Sequence, residues 1–569
     1  MFLPTTRQEM QTLGWDSLDV ILVTGDSYID SPYVGVAVIG KLLVKEGYRV
    51  GIIAQPEHDD ISDIGRLGEP VLFWGVTAGC VDSMVSNYTA LKKRRRTDDY
   101  TPGGINDRRP DRATIVYSNL IRRYSNHQHP HLPSKPILLG GIEASLRRVS
   151  HYDFWSDQIR RSIIFDAKAD YLLYGMADKS IIDFALSIKK GTDPKNVRGL
   201  CYLSKEIPSD YITLPSFEKV SQDKNAFTSM FHIFYQNNDP LDAKGLAQKN
   251  SDRFLIQNPP SFYPTQAELD AIYSLDYEYD QHPFYERIGP VKALETIRFS
   301  ISTHRGCYGE CNFCAIAVHE GRTVRWRSQE SIIAEAERLT RKDGFKGYIQ
   351  DLGGPTANMY GYECSKKLKS GGCQNKRCLS PEICPLLNID HAPNTDLLKQ
   401  IRKIEGVKKV FVSSGIRYDL IFSDKDHCDE YLHELVIHHV SGQLKVAPEH
   451  SQANVLEKMG KPGTKNLLMF KEKFDHYSKS AGKKQFLTYY MIAAHPGCTD
   501  SDMRKLKEFA SKKLNINPEQ VQIFTPTPST YSTLMYYTEQ DPFSNMPIFV
   551  EKNPENKQKQ KQIIVHKNV

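Results

Sequence analysis

Three cysteines in the run His304-Arg305-Gly306-Cys307-Tyr308-Gly309-Glu310-Cys311-Asn312-Phe313-Cys314 stand in a C-x3-C-x2-C pattern, with an aromatic just before the last. They constrain this chain more than any other feature, because three thiolates make an incomplete cage. A cubane of four irons ordinarily takes four cysteines. A tight triad whose next cysteine, Cys364, lies fifty residues on leaves one iron open to a ligand that is not protein. Structural zinc is the competing reading. It wants four ligands, commonly as paired C-x2-C clips, and here it would have to recruit His304 or His319. Hydrophobic periodicity is absent from Arg305 to Asn312, so this glycine- and polar-rich stretch reads as a loop wrapping something and not as a core element.

At 569 residues the chain is long enough for two or three domains with full cores. No apolar run approaches the length of a membrane span, and the start, Met1-Phe2-Leu3-Pro4-Thr5-Thr6-Arg7, has neither a basic n-region nor an apolar h-region. The 11 cysteines, an odd number concentrated after residue 300, suit metal chemistry in a reducing cytoplasm better than disulfides, so a cytoplasmic protein that does not span a membrane is expected. A formal charge of +6 is mild over this length. Local density is higher: Lys92-Lys93-Arg94-Arg95-Arg96, followed by Arg108, Arg109 and Arg112, reads either as a grip on nucleic-acid phosphates or as a solvated loop, and it lacks interleaved aromatics.

Residues 1–202 alternate short apolar runs with amphipathic stretches, the pattern of a Rossmann-like doubly wound parallel sheet. Strands are expected at Asp19 to Thr24, Tyr48 to Ala54, Val71 to Val76, Pro136 to Leu139 and Tyr171 to Tyr174, with a helix from about Val34 to Lys45. Their carboxyl ends carry Gly25-Asp26-Ser27, Thr77-Ala78-Gly79, Gly140-Gly141 and Gly175-Met176, where close approach of a ligand would require glycine. Residues 203–290 are polar, tyrosine-rich and broken by prolines, and read as a connector whose one firm helix starts at the capping box Thr265 and Glu268.

Residues 291–565 repeat strand, loop and helix. A strand from Thr296 to Ser302 feeds the cysteine loop, and Ser328 caps a helix with Ile332, Ile333, Ala336 and Leu339 on one stripe. Further strands fall at Gly347 to Leu352, Val410 to Arg417, Gln443 to His450, Tyr489 to Gly497 and Gln522 to Pro528. This spacing predicts a partial α/β barrel with its chemistry on loops at the strand ends. Gly353-Gly354 follows one strand and suits a backbone grip on a polar small molecule; a simple turn is the plain alternative. Cys364, Cys373, Cys378 and Cys384 form a second set, in a lysine- and glycine-rich stretch with almost no apolar core, where zinc or an auxiliary cluster would staple the loop. The basic tail from about residue 551, Lys552 to Lys567, reads as mobile.

The cysteine triad resembles the cluster motif of radical S-adenosylmethionine (SAM) enzymes. Together with Gly140 to Arg148, His151 to Ser156, the cysteine quartet and Lys445-Val446-Ala447-Pro448-Glu449-His450, the whole chain resembles the YgiQ-like family of that class. The resemblance implies a [4Fe-4S] cluster on Cys307, Cys311 and Cys314, with SAM chelating the open iron and its amino group on Gly353 and Gly354. The usual acidic residue after the glycine pair is replaced by Pro355. Ser414 and Arg417 are candidates for the SAM ribose and carboxylate, a helix cap and an ordinary ion pair being the alternatives. The N-terminal module is similar to the cobalamin-binding domain of radical SAM methylases. The D-x-H-x-x-G signature is missing, however, so cobalamin would bind without a protein histidine or the module has kept the shape and lost the cofactor. Glu143, Arg147, Arg148 and His151 are expected on a surface facing the barrel mouth, a salt-bridged helix being the rival. A low-potential donor such as flavodoxin or ferredoxin is the implied partner, RNA the first substrate expected and a small molecule or peptide the second. An iron-sulfur sensor without radical catalysis is the alternative from another class.

Overall fold

The computed structural model describes residues 1–565 apart from positions 129, 132 and 375. The chain divides into two compact units, one of residues 1–264 with 271–298 and the other of residues 265–270 with 299 onward.

In the first unit every expected strand forms. Val20–Thr24, Val50–Ala54, Phe73–Thr77, Ile137–Leu139 and Tyr171–Leu173 pair in parallel, in the chain order second, first, third, fourth, fifth. Their buried runs, such as Val20 to Thr24, are apolar throughout because helices cover both faces of a parallel sheet. Gly35–Lys45 is one of those helices, burying Val36, Ala37, Val38, Leu42 and Leu43. The segment read as a connector is instead part of this sheet. Leu200–Ser204 joins Tyr171–Leu173 antiparallel, and Arg253–Gln257, Leu246–Asn250 and Ile212–Leu214 extend it to nine strands. Pro208, Pro215 and Pro240 lie between these strands, and the remaining prolines of the segment follow the last of them. The capping box at Thr265 and Glu268 is present, opening the helix Gln266–Tyr273.

The second unit holds the parallel row expected of a partial barrel. Ser300–Ser302 pairs with Asp351–Gly353, Tyr348–Ile349 with Lys409–Val410, and Gln443–Glu449 with Phe486–Ala493, which pairs in turn with Gln522–Ile523. A parallel bridge from Ile416 to Val446 closes the gap in the middle of the row. The first strand is shorter than its alternation suggested, because Leu294–Ile297 is one turn of helix. Ser328 caps the helix Gln329–Thr340, which buries Ile332, Ala336 and Leu339 as expected. The helix also buries Glu335 against Arg327, a buried ion pair that the apolar stripe did not announce.

Two expectations are corrected here. The stretch from Pro554 to Val565, expected to be a mobile tail, is a helix that buries Lys557, Gln560 and Ile564. Gln560 accepts from the Ala494 amide at 3.0 Å and donates to the Cys498 carbonyl at 3.2 Å, and the Lys557 ammonium donates to the Tyr536 hydroxyl at 2.8 Å. Those polar anchors are why a segment of low apolar content packs. The end of the expected tail, positions 566–569, lies outside the described residues. Glu143, Arg147, Arg148 and His151 form no surface, for all four are buried. Glu143 accepts from Ser83, Arg147 pairs with Asp82, and Arg148 donates to Gln257, Asn238 and the Ser145 carbonyl. They are the internal polar frame of the first unit.

Candidate functional site

Past Ser302 the chain leaves the barrel strand, pairs His304–Arg305 with Arg325–Trp326, and turns at Gly306 (φ 82°) into the cysteine loop. The Cys307 amide donates to the Gly321 carbonyl at 3.3 Å, so the loop is pinned at both edges before any ligand is considered. Inside it, Gly309 donates its N–H to the Cys307 sulfur at 3.3 Å. A Cβ on Gly309 would lie 3.2 Å from the Cys307 sulfur, 3.4 Å from Arg417 and 3.6 Å from the Cys311 sulfur, so the absence of a side chain there keeps the space between the sulfurs open. All three cysteines are partly exposed free thiols. Burial and the neighbouring Cys311 push the Cys307 and Cys314 thiols above their usual range. A metal would reverse that, since coordination deprotonates a thiol outright.

The loop after the second strand reaches the same place. Thr356 Oγ1 is 3.7 Å and Met359 Sδ 3.8 Å from the Cys307 sulfur. Between strand and Thr356 lies the glycine pair. The Gly353 carbonyl accepts from Thr303 N at 2.7 Å and Thr303 Oγ1 at 3.0 Å. A Cβ on Gly353 would collide with Ser414 Oγ, and one on Gly354 would sit 2.6 to 2.9 Å from three atoms of the His304 ring. Both positions therefore demand glycine by close approach. His304 is fully buried, its Nδ1 2.8 Å from Thr303 Oγ1, and burial lowers its pKa to about 4. A buried neutral imidazole in this position shapes the glycine loop.

Ser414 stands exposed at the end of the next strand, its amide and hydroxyl 3.1 and 3.2 Å from Asp351 Oδ1, which also accepts from Ser413 N at 2.7 Å. The structure thus brings Gly353 and Ser414 into contact. Arg417 is placed differently from the expectation. It is buried, gives Nε and Nη2 to the two oxygens of Asp419 at 2.8 and 2.5 Å, and turns Nη1 to the Cys311 sulfur at 3.8 Å. A guanidinium committed to that fork has one edge left, and that edge faces the thiols. Its charge is held firmly by Asp419 and by the cysteines beside it. Sequence reasoning missed Asp419, Thr356, Met359 and Asp351; only the R-x-D spacing of Arg417 and Asp419 offered a signal.

The second cysteine set also converges. Cys364, Cys373, Cys378 and Cys384 all line one small pocket in the second unit. In the first unit, the crevice where the strand order reverses is filled by the chain itself. Arg109 donates to Asp26 at 2.5 Å and pairs with Asp98 at 3.0 Å, all three buried. Gly25 is packed against the Ala78 carbonyl, Gly79 against the Asp26 carboxylate and Gly141 against Thr77. Gly25, Gly79 and Gly141 thus serve contacts between loops, while Gly140 has no neighbour within 4 Å of a Cβ placed on it.

Two family models match adjoining parts of the chain: Radical SAM N-terminal over residues 2–300 and the Radical SAM superfamily over residues 301–510. The class is that of radical SAM proteins, with a Rossmann-like N-terminal unit ahead of a partial α/β barrel. A UPF0313 protein of Fusobacterium nucleatum is 56% identical over 566 residues, covering 100% of this chain and 99% of the relative. One of Thermotoga maritima is 47% identical over 570 residues, covering 100% and 99%. The chain therefore belongs to the UPF0313, YgiQ-like family of radical SAM proteins. Among solved structures, the radical SAM methyltransferase TsrM of Kitasatospora setae, with cobalamin and a [4Fe-4S] cluster bound, matches with TM-score 0.53 at 15% identity over 91% of this chain and 74% of that one. The cobalamin-dependent radical SAM enzyme OxsB matches with TM-score 0.50 at 12% identity over 94% and 57%. At these identities the likeness is one of fold. No helix among the described residues is long and apolar enough to cross a membrane.

Proposed function

We propose that the chain is a radical SAM enzyme whose cluster is held by Cys307, Cys311 and Cys314, with SAM seated against Gly353, Gly354 and Ser414. The observation that carries this is the convergence, in one place, of the Cys307 and Cys311 thiols beside a side-chain-free Gly309, of Cys314 close enough to feel both, and of a glycine loop ending at Thr356. When bound, a three-thiolate cubane supplies one electron to the sulfonium of SAM and so yields a 5'-deoxyadenosyl radical that abstracts a hydrogen. The chain's own residues do the rest. Gly309 N–H steadies the Cys307 sulfur, and Arg417 lays a positive charge that deprotonation does not remove against Cys311. Ser413 and Ser414 hold Asp351 by three hydrogen bonds, so the polar groups nearest the glycine pair are fixed before a ligand arrives. Arg417 belongs to the cage and not to the SAM carboxylate.

RNA is the substrate class we favour. The run from Lys92 to Arg96 is exposed, and the partly exposed rings of Tyr88 and Trp155 meet at 5.5 Å beside it, the Lys92 ammonium resting 4.8 Å from the buried Phe154 ring centroid. Exposed cations beside aromatic faces suit a nucleic-acid strand better than a small metabolite. A low-potential donor such as flavodoxin or ferredoxin and a reducing cytoplasm complete the reading. No step is assigned to cobalamin: Gly25, Gly79 and Gly141 are packed against Ala78, Asp26 and Thr77, while Gly140 is open.

Anaerobic protein given SAM and dithionite should release 5'-deoxyadenosine. An intact cluster without that product would favour the sensor reading. Cys311→Ala should lose product and cluster together; retained turnover would defeat the ligand assignment.

A further inference from the structure

Cys364, Cys373, Cys378 and Cys384 lie within a stretch of twenty-one residues, yet almost none of it is regular. After the short helix Ser365–Ser370 no helix or strand occurs among the described residues until Ala392. A structureless segment of that length inside a compact unit needs something to hold it. The four sulfurs nevertheless line one pocket, and the Cys384 amide donates to the Cys378 carbonyl at 2.7 Å, bringing the third and fourth cysteines together. Ordinary core burial accounts for Cys364 and Cys378, which pack with Tyr308, Tyr362, Met359 and Leu379. It does not account for Cys373 and Cys384, which are partly exposed and share the same pocket.

The charges point the same way. Lys366, Lys367, Lys376 and Arg377 line that pocket with the cysteines. Lys367 is buried, 2% exposed, donates to the Arg322 carbonyl at 2.7 Å and hydrogen-bonds Cys378. Its ammonium also lies 5.6 Å from the Tyr308 ring centroid, but among the described residues no carboxylate pairs with it. A buried ammonium needs a counter-charge, and neutral thiols do not supply one. Thiolates on a metal do.

We infer that these four cysteines ligate a second metal centre, an iron-sulfur cubane with every corner taken by protein. A single tetrahedral zinc ion on four thiolates is the other occupant such a set can take, and the metal content of the protein tells the two apart. With no open corner this centre does not bind SAM, which separates it from the Cys307 site.

The test uses the full chain, grown with iron-57 and purified without oxygen. A variant lacking the first triad (Cys307→Ala, Cys311→Ala, Cys314→Ala) leaves the quartet untouched. It should retain about four irons and four sulfides per chain with cubane Mössbauer parameters, and its reduced EPR signal should not respond to SAM. Iron-free protein carrying zinc would overturn the cluster, and protein with neither metal would overturn the site. In the converse variant, Cys364→Ala with Cys378→Ala, about four irons should be lost from about eight while a SAM-responsive signal stays. Should that protein fail to fold, Cys373→Ser, at a partly exposed position, should show the same selective loss; unchanged iron there would also refute the assignment. Failure of the Cys307 site alone leaves a different mark: the triad variant would then match the wild type in iron.

Discussion

Arg417 and Asp419 allow the cage to be tested through its electrostatics. The Arg417 guanidinium stands 3.8 Å from the Cys311 sulfur. At an effective dielectric of about 20, a unit charge at that range interacts with a full charge by about 4 kcal/mol. An electron added to a cubane is spread over four corners, so one corner feels about a quarter of it, roughly 1 kcal/mol. For a one-electron couple, at 59 mV per tenfold, that is a shift of about 40 mV. Arg417→Gln should therefore make the Cys307 cluster harder to reduce by about 40 mV. Asp419→Asn removes the opposing charge and should make it easier to reduce, by less, because the carboxylate stands behind the guanidinium. Each change also leaves one buried charge without its partner, at about 3–5 kcal/mol in stability. Lost stability alone lowers cluster content in both variants without moving the potential. EPR-monitored redox titration of anaerobic wild type, both variants and Arg417→Lys separates the two effects. Equal potentials, or shifts of one sign in Arg417→Gln and Asp419→Asn, would refute the placement of Arg417 as a charge on the cage.

Gly354→Ala puts a Cβ 2.6 to 2.9 Å from the buried His304 ring, an overpacking of about 1–3 kcal/mol. Equilibrium dialysis should find SAM affinity lower by about tenfold at unchanged iron content; unchanged affinity would remove the glycine loop from the SAM site. Burial holds His304 and His450 at about 4 and His495 at about 3, all below the ordinary 6.5. The unfolded chain binds more protons than the folded one between those values. The stability they contribute is therefore complete above about pH 6.5 and is lost as pH falls toward 4, by about 1 kcal/mol per histidine at pH 5.5. Anaerobic thermal unfolding should show the midpoint falling from pH 7.5 to 5.5, with a shallower fall in His495→Gln; a flat profile would contradict the burial of neutral rings. Replacing Lys93, Arg94, Arg95 and Arg96 by Ala should weaken single-stranded RNA binding and reduce the log-log salt slope by up to about 3. An unchanged slope would turn the substrate proposal toward a small molecule or peptide.

What could be read without coordinates was local. The triad's spacing defined an open cage, because chelation by neighbours a few residues apart depends on chain length alone. The alternation of apolar runs placed all five N-terminal parallel strands, because a sheet buried on both faces imposes continuous apolar segments. What the tertiary structure decided was pairing at long range. The proline-rich stretch after residue 202 became sheet, since its strands Ile212–Leu214, Leu246–Asn250 and Arg253–Gln257 are supported by partners and not by pattern. The tail became helix on the strength of Gln560 and Lys557 finding buried partners. Arg417 was recognised from sequence as a functional cation, yet only the fold could assign its fork to Asp419 and its free edge to Cys311. A charged side chain carries no mark of its partner in its own identity. Its partner is set by which distant atoms share its low-dielectric surroundings, and that is a property of the folded chain.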